Sequence, residues 1–350
     1  MRPTAVSRLN IQAHWARRTP LSVLLLPLAG LFALVVWFRR AAYRLGWLQS
    51  FTVGVPVIVA GNITAGGSGK TPLVIWLVGW LAEQGYRPGV VSRGYGGKAE
   101  GCVEVRDDSD PSVVGDEPLL IHAKTRCPLV VGRDRVAAAR VLLARHPGID
   151  IIVSDDGLQH YRLHRNLELA VVDAATGLGN GLSLPAGPLR EPASRLDTVD
   201  AVLQVRRGDS TLTNALSAPS FQVEFRPGKF YALCQPERKI EAVELGSGPW
   251  LAVTGIGRPQ GFFDMLSGLG LKFRAQVFPD HYRFTRADLP AEARVVMTEK
   301  DAVKCVRFAQ PDWWALELET QPERSFMQWL KLRLNNNKTT VSHSTGEKHA

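Results

Sequence analysis

The sequence predicts an α/β fold in which a mostly parallel sheet carries helices on both faces. Between residues 55 and 173, short apolar runs typical of buried strands alternate with stretches of helical spacing. This alternation indicates parallel strands joined by helices. The chain has 350 residues, enough for about two domains of ~150 residues each. An apolar content of 45% and a charged content of 21% exclude disorder of the whole chain.

Each element is predicted from its own run of residues. In a first α/β unit, strands are predicted at 55–60, 89–92, 129–132, 149–154 and 167–173, and helices at 71–84 and 134–145. In a second, smaller unit, strands are predicted at 250–254, 274–278 and 295–298, and helices at 260–269 and 324–334. Between the units, residues 205–233 are polar and rich in turn residues, which favours a linker with a β-hairpin.

The charge of the chain is concentrated near its beginning. Of the net charge of +9, seven arginines within residues 1–48 supply +7, which leaves +2 for the other 302 residues. A nucleic-acid-binding protein usually spreads its basic residues over a folded face. Here the arginines flank an apolar run instead, so we expect an anionic membrane surface as the partner and no nucleic acid.

The four cysteines form no C-x-x-C pair, which favours a reducing compartment over a disulfide scaffold or a cysteine zinc site.

The apolar run covers residues 21–38 and contains no charge. As a helix at ~1.5 Å per residue it would be about 27 Å long, slightly less than a ~30 Å hydrocarbon core. Pro27 and Gly30 interrupt it. We therefore expect an N-terminal membrane helix or short helical hairpin lying in the cytoplasmic leaflet rather than a clean span. A buried core helix and a cleaved signal peptide are the alternatives, although no small-x-small cleavage site follows the run.

A glycine-rich loop between a predicted strand and a predicted helix is the strongest functional signal. The sequence GGSGKT at 66–71 supplies converging backbone N–H groups, a lysine for the β- and γ-phosphates and a threonine hydroxyl for Mg²⁺. Position 64 is threonine where the strict P-loop pattern has glycine, and a glycine turn with a chance GKT is the alternative. The predicted nucleotide ligands lie in this loop: Thr64, Ala65, Gly66, Gly67, Ser68, Gly69, Lys70 and Thr71.

Acidic residues also lie at the ends of two further predicted elements. Asp155 and Asp156 end an apolar strand, where a carboxylate can hold Mg²⁺ opposite the loop threonine; the alternative is a pair of turn aspartates. Asp116 lies in the sequence GDEP at a helix start, and N-capping alone would explain it. His281, in FPDHY, is as a lone histidine more often structural than catalytic. The sequence TEKD at 298–301 has the wrong order for a GTPase base-reading motif.

Taken together, these motifs resemble the tetraacyldisaccharide 4′-kinase family, the lipid A kinases of the bacterial inner membrane. The resemblance covers residues 20–335 and rests on GNITAGGSGKTP, SRGYGG, GDEP, DDGLQH, LPAGPLREP, FPDHY and TEKD in that order. It implies ATP-dependent phosphorylation of the 4′-hydroxyl of a tetraacylated glucosamine disaccharide 1-phosphate, at the cytoplasmic face of the inner membrane. It also implies Asp116 paired with His281 as the catalytic groups together with Lys70, and Mg²⁺ held by Thr71 and by Asp155 or Asp156, with Glu191 close by.

The expected organisation of the chain has five parts. They are a membrane-associating segment (1–48), a P-loop kinase domain (49–204), a β-hairpin linker (205–235), a smaller α/β domain that contributes to the active site (236–334) and a disordered tail (335–350). A membrane-recruited P-loop ATPase switch is the alternative function, and a non-catalytic membrane-anchored binder is a third. We infer no obligate protein partner from the sequence.

Overall fold

The computed structural model describes residues 11–206, 216–246, 248–290 and 292–344. The strands are β1 (Val57–Gly61), β2 (Pro88–Ser92), β3 (Cys102–Glu104), β4 (Leu129–Gly132), β5 (Ile151–Asp155), β6 (Leu167–Asp173), β7 (Ala201–Arg206), β8 (Ser220–Ala232), β9 (Gln235–Ile240), β10 (Trp250–Thr254), β11 (Phe273–Val277), β12 (Val295–Thr298) and β13 (Trp313–Pro322). The α-helices are α1 (Ile11–Ala16), α2 (Pro20–Leu24), α3 (Leu26–Arg44), α4 (Lys70–Glu83), α5 (Pro111–Val114), α6 (Asp116–Thr125), α7 (Arg135–Arg145), α8 (Gln260–Gly268), α9 (Glu299–Cys305) and α10 (Arg324–Ser344).

All of these strands belong to one sheet, in the order β11-β10-β12-β13-β8-β7-β6-β1-β5-β2-β4-β3, with β9 beside β8. Neighbours pair in parallel except at β13–β8, β8–β9 and β3–β4. Apolar side chains fill both faces of the sheet in each half. The predicted fold class is therefore confirmed: a mostly parallel sheet with helices on both faces, a smaller second α/β unit and an N-terminal apolar helix.

The long strand β8 connects the two halves. It pairs in parallel with β7 of the first half and antiparallel with β13 of the second. The predicted hairpin exists, but it is formed by β8 and β9 and extends to Ile240. It is an integral part of the shared sheet rather than a linker, because β8 hydrogen-bonds on both sides. Residues 207–215 of the expected linker lie outside the described residues.

The last helix differs from expectation in place and in length. Phe326, Leu330 and Leu334 of α10 are buried in the core of the first half, because β13 runs back along β8 and returns the chain there. Disorder was expected from residue 335, whereas α10 in this structure continues to Ser344. Once packing has formed a helix, backbone hydrogen bonds extend it without further apolar burial. Residues 345–350 lie outside the described residues.

The apolar N-terminal run forms α2 and α3, which meet at Leu25. Pro27 is tolerated because it lies in the first turn of α3, where its missing N–H has no helical partner. In its most apolar stretch α3 has a mean hydropathy of 1.3 and is only 11% buried. Among the described helices, it alone is long and apolar enough to cross a membrane. Its exposure is unlike that of a buried core helix.

Candidate active site

The predicted phosphate loop follows β1 and leads into α4. Gly69 is the N-cap of α4 with φ +84°, a left-handed conformation that favours glycine. A Cβ at this position would lie 2.5 Å from the Phe225 ring of β8, so the strand that joins the halves also packs against the loop. On the other side, the Ala65 amide donates to the Pro188 carbonyl at 2.7 Å, and Thr64 forms a bridge with Leu189.

Lys70 is held by two side chains at the carboxyl ends of β1 and β5. Its ammonium donates to Asn62 Oδ1 at 3.2 Å and lies 3.3 Å from Asp156 Oδ1. Arg190 donates to both carboxylate oxygens of Asp156, at 3.2 and 3.0 Å. Burial would raise the pKa of Asp156, but the charges of Lys70 and Arg190 outweigh it and lower that pKa. Asp156 is therefore an ionised partner of two cations.

Asp155 has different surroundings. It is 2% exposed, its Oδ2 accepts a hydrogen bond from Ser92 Oγ at 2.9 Å, and its Oδ1 is buried without a hydrogen-bond partner. Burial raises the pKa of Asp155, and the negative charges of Glu117 and Asp156 raise it further. A buried carboxylate with an unpartnered oxygen is suited to bind a cation, since ionisation is otherwise unfavourable there.

Glu191, the third predicted metal ligand, is fully enclosed by the protein. It is 1% exposed and accepts hydrogen bonds from Gln159 Nε2 at 2.9 Å and from the Tyr161 hydroxyl. Arg40 of α3 and Arg195 each lie 3.8 Å from one of its oxygens. Both carboxylate oxygens therefore already have protein partners, and one of these comes from the N-terminal helix.

The structure brings Asp116 and His281 together across the two halves. His281 Nδ1 lies 3.0 Å from each oxygen of Asp116, which is 5% exposed at the start of α6. The helix cap is Gly115 rather than Asp116. A Cβ on Gly115, where φ is +92°, would lie 2.7 Å from the Tyr95 carbonyl. Glycine therefore lets the SRGYGG loop approach α6, and the Tyr95 ring meets the His281 ring edge-on at 5.3 Å.

The charges around this pair shift both pKa values. Burial would raise the pKa of Asp116, but the hydrogen bond from His281 and the charges of Lys300 and Lys304 outweigh it, so that pKa lies below its ordinary value. The hydrogen bond with Asp116 raises the pKa of His281, although burial and the Lys300 charge oppose the shift. The pair is thus an ionised carboxylate hydrogen-bonded to an imidazole.

Similarity to known proteins identifies the family of this chain. The family model for tetraacyldisaccharide-1-P 4′-kinase matches residues 21–335. The chain belongs to this family. A tetraacyldisaccharide 4′-kinase of Thiobacillus denitrificans is 60% identical over 93% of this chain and 99% of its own length. One from Chromobacterium violaceum is 48% identical over 93% and 97%. A crystal structure of LpxK from Aquifex aeolicus in complex with ATP superposes with a TM-score of 0.80 at 27% identity, over 90% of this chain and 99% of that one.

The family resemblance pointed to metal ligands, and the described residues contain no group of three or more His, Cys, Asp or Glu side chains that could hold a metal. A magnesium ion bound together with a nucleotide needs fewer protein ligands, because phosphate oxygens and water complete its coordination. The loop hydroxyl of Thr71 and the unpartnered Oδ1 of Asp155 fit that requirement. Ser68 Oγ is also buried without a partner, as expected for a loop that closes around phosphate.

Several residues of this site were not identified from the sequence. Asn62 and Arg190 lie within the quoted motifs GNITAGGSGKTP and LPAGPLREP, but nothing in their spacing shows that they hold Lys70 and Asp156. The TEKD residues were discounted as a base-reading motif, yet Lys300 lies 3.5 Å from His281 Nε2. Their position after a strand was the available signal, since polar residues at carboxyl ends of parallel strands gather at one edge.

Proposed function

We propose that this chain transfers the γ-phosphoryl group of ATP to the 4′-hydroxyl of a tetraacylated glucosamine disaccharide 1-phosphate. The hydroxyl oxygen forms a bond to the γ-phosphorus, the bond from that phosphorus to the β,γ-bridging oxygen breaks, and ADP leaves. The hydroxyl proton passes to a base on the protein. Family membership carries the identity of both substrates, and the residues of the site account for the chemistry.

The observation that carries the proposal is the pair formed by Asp116 and His281. A nucleotide switch needs a phosphate loop and a metal ligand, but it has no need for a base for a second substrate. Here an ionised carboxylate and an imidazole meet at 3.0 Å, one from each half. Glu117, next to Asp116, is near enough to raise the pKa of Asp155. A base that is separate from the proposed metal ligand favours a kinase over an ATPase switch.

Each loop residue has a proposed task. The backbone N–H groups of residues 66–69 and the start of α4 bind the phosphates, whereas the Ala65 N–H is held by the Pro188 carbonyl. Lys70 neutralises charge on the transferred group. Thr71 and Asp155 would hold Mg²⁺, whose charge would offset that of the phosphates. Asp156 keeps Lys70 in place through its contact at 3.3 Å, and Glu191 orients Gln159 and Tyr161 instead of binding the metal.

Asp116 is the proposed base. Its low pKa keeps it ionised. It is not a proposed metal ligand, whereas Mg²⁺ would occupy the lone pairs of Asp155. His281 donates from Nδ1 to Asp116, which orients the carboxylate and stabilises the charge distribution as the proton arrives. Such a pair acts as one unit in the transfer of a proton.

We propose that α2 and α3 lie in the cytoplasmic face of the inner membrane and present the lipid substrate. Their exposed apolar side chains include Leu31, Leu34 and Trp37, each 59–63% exposed. A cavity of about 300 Å³ beneath α3 is lined mainly by cationic and aromatic side chains, among them Arg40, Tyr43, Arg44, Tyr161, Arg165 and Arg195. The acidic Glu168 also lines it and pairs with Arg165 and Arg195. An anionic headgroup on an acylated substrate suits this surface, because guanidinium groups bind phosphate well.

Turnover of MgATP with and without the lipid disaccharide tests the proposal. We expect release of ADP only when the lipid is present, and one phosphate added per lipid by mass spectrometry. Thr71→Ala and Asp155→Asn should abolish the gain in lipid mass. ATP hydrolysis that does not depend on lipid and leaves the lipid mass unchanged would instead support a nucleotide switch.

A further inference from the structure

The TEKD residues form a short structural unit that connects the two halves. Thr298 caps α9 by accepting a hydrogen bond from the Asp301 amide. Asp301 is fully buried and accepts hydrogen bonds from Thr254 Oγ1 at 3.2 Å and from the Gly255 amide at 3.0 Å. These contacts fix the start of α9 to the carboxyl end of β10. The side chains of Glu299 and Lys300 therefore extend from a firmly held backbone.

Those two side chains both reach α6 of the other half. Glu299 accepts a hydrogen bond from Lys124 at 2.7 Å. Lys300 donates to Glu117 Oε1 at 3.0 Å and lies 3.5 Å from His281 Nε2. Its ammonium is also 3.9 Å from Asp116 Oδ2. Lys300 is thus in contact with both members of the catalytic pair and with the neighbour of one of them.

An ammonium group can only donate hydrogen bonds. At His281 Nε2 it therefore meets a lone pair, and the proton of the neutral imidazole is placed on Nδ1, facing Asp116. Protonation of Nε2 would bring two cations together at this contact. Lys300 thus favours the one ring state in which Nδ1–H is held on the carboxylate and Nε2 carries no proton.

Other charged or polar groups face His281 as well. They are Asp116 and Glu117 on α6, Tyr95 in the loop after β2, the neighbouring Asp280, and Lys300 and Lys304 on α9. Of the two lysines, Lys300 alone is within 3.5 Å of the ring, whereas Lys304 is 2.7 Å from Asp301 and 3.9 Å from Asp116. The acidic groups favour a protonated ring, and Lys300 opposes them from close by.

We propose that Lys300 is a positioning residue for the Asp116–His281 pair: it anchors to Glu117, donates to His281 Nε2, and so holds Nδ1–H on the carboxylate. This inference rests on the proposed function, because it assigns the pair to proton transfer. Lys300 acts through the ring rather than on either substrate. Its effect is on the orientation and the protonation state of the ring.

Lys300→Gln tests the inference, because glutamine keeps a donor and removes the charge. We expect kcat to fall by about tenfold or more, as is usual when a reacting group loses its orientation, with the KM for ATP unchanged within about twofold. The acid limb of the kcat profile should move to higher pH by about one unit, the effect of one charge at this separation in a mostly aqueous dielectric. Lys300→Arg, which keeps the charge, should leave the limb near its wild-type position.

The pKa of His281 followed by NMR provides a readout that needs no turnover. We expect it to rise by about one unit in Lys300→Gln and to stay near the wild-type value in Lys300→Arg. Lys124→Met is the matched control, because it removes another α6–α9 ion pair without changing the charge beside the imidazole. It should lower Tm and leave the His281 pKa unchanged.

Three results would overturn the inference: an unchanged His281 pKa in folded Lys300→Gln, an unchanged acid limb, or an equal shift in Lys124→Met. The last would show that Lys300 only joins the two halves. The NMR titration does not depend on catalysis. If the His281 pKa rises in Lys300→Gln while the protein is inactive or insensitive to the lipid, the positioning contact stands and the proposed function is wrong. If Lys300→Gln does not fold, Lys300→Arg decides the matter through its pKa and its kcat.

Discussion

His281 Nδ1 lies 3.0 Å from both carboxylate oxygens of Asp116, although the two residues are 165 positions apart and belong to opposite halves. The contact depends on the shared sheet, because β8 pairs with β7 on one side and β13 on the other. With both halves on one sheet, α9 can pack against α6. The pair is therefore a product of the whole fold rather than of either half.

The first prediction concerns the way in which the pair acts. Asp116→Ala and His281→Ala should each lower kcat by about 10²-fold or more while ATP binding changes little, since neither residue belongs to the phosphate loop. The double variant should be hardly worse than the poorer single variant, because both remove the same unit. Steady-state kinetics and ATP titrations measure this, with exposed Asp312→Ala as the control. Fully additive losses would contradict a joint action.

The second prediction concerns stability against pH. In the folded protein the pKa of Asp116 lies below 3.8 and that of His281 above 6.5. The contribution of Asp116 is present above pH 3.8 and is lost as pH falls through its lowered pKa. The contribution of His281 is complete below pH 6.5 and is lost as pH rises through its raised pKa. The pair should therefore stabilise the fold most between those two values.

Denaturant unfolding of the wild type and His281→Gln in the same detergent tests this window. The difference in free energy of unfolding should be larger at about pH 5 than at alkaline pH, since the contribution is lost as pH rises through the raised pKa of His281. A difference that grows with pH would mean that folding favours the neutral imidazole over the protonated one, contrary to the raised pKa of His281.

The third prediction concerns the contact between the phosphate loop and β8. Gly69→Ala should abolish ATP binding, because alanine rarely adopts φ +84° and its Cβ would lie 2.5 Å from Phe225. Gly79→Ala is the control: it lies in the same helix, with nothing within 4 Å of its Cβ position. That change should leave binding intact and stabilise α4 by about 0.5–1 kcal/mol. Normal ATP binding by Gly69→Ala would contradict the loop conformation.

Local elements of the fold were predictable from sequence, whereas their long-range pairing was not. Strands such as Val57–Gly61 and Leu129–Gly132 are continuous apolar runs, the pattern that is typical of a buried parallel strand. One partner strand of β8, β13, lies far away along the chain, so no local pattern could place β8 at the centre of a shared sheet. The same holds for α10, whose apolar face is compatible with either half.

In the site, too, local motifs were predictable from the sequence and long-range contacts were not. The loop residues were predictable because glycines, lysine and threonine at fixed spacing have one dominant use. The different surroundings of Asp155 and Asp156 were not, because they depend on Lys70, Ser92 and Arg190. The pairing of Asp116 with His281 came from family resemblance. From residue types alone, N-capping would explain Asp116, and His281 would more often be structural than catalytic.

The last prediction concerns the N-terminal helices. Deletion of residues 1–47 should release the protein from membranes and weaken use of the lipid, because this segment carries most of the large apolar side chains exposed among the described residues. MgATP binding should persist, since the phosphate loop lies between β1 and α4. The deletion removes Arg40, but Glu191 keeps Gln159 and Tyr161 as hydrogen-bond partners, so the adjoining segment stays in place.

Point variants separate apolar insertion from charge attraction. Leu34→Glu and Trp37→Glu should lower binding to anionic phospholipid vesicles by about tenfold or more, because each places a charge on the face that enters the lipid. Val243→Glu, at a side chain 87% exposed in the second half, should change nothing. High salt should weaken the arginine contribution and leave the apolar one. Full sedimentation of both α3 variants, or equal loss in Val243→Glu, would place the membrane-binding surface elsewhere.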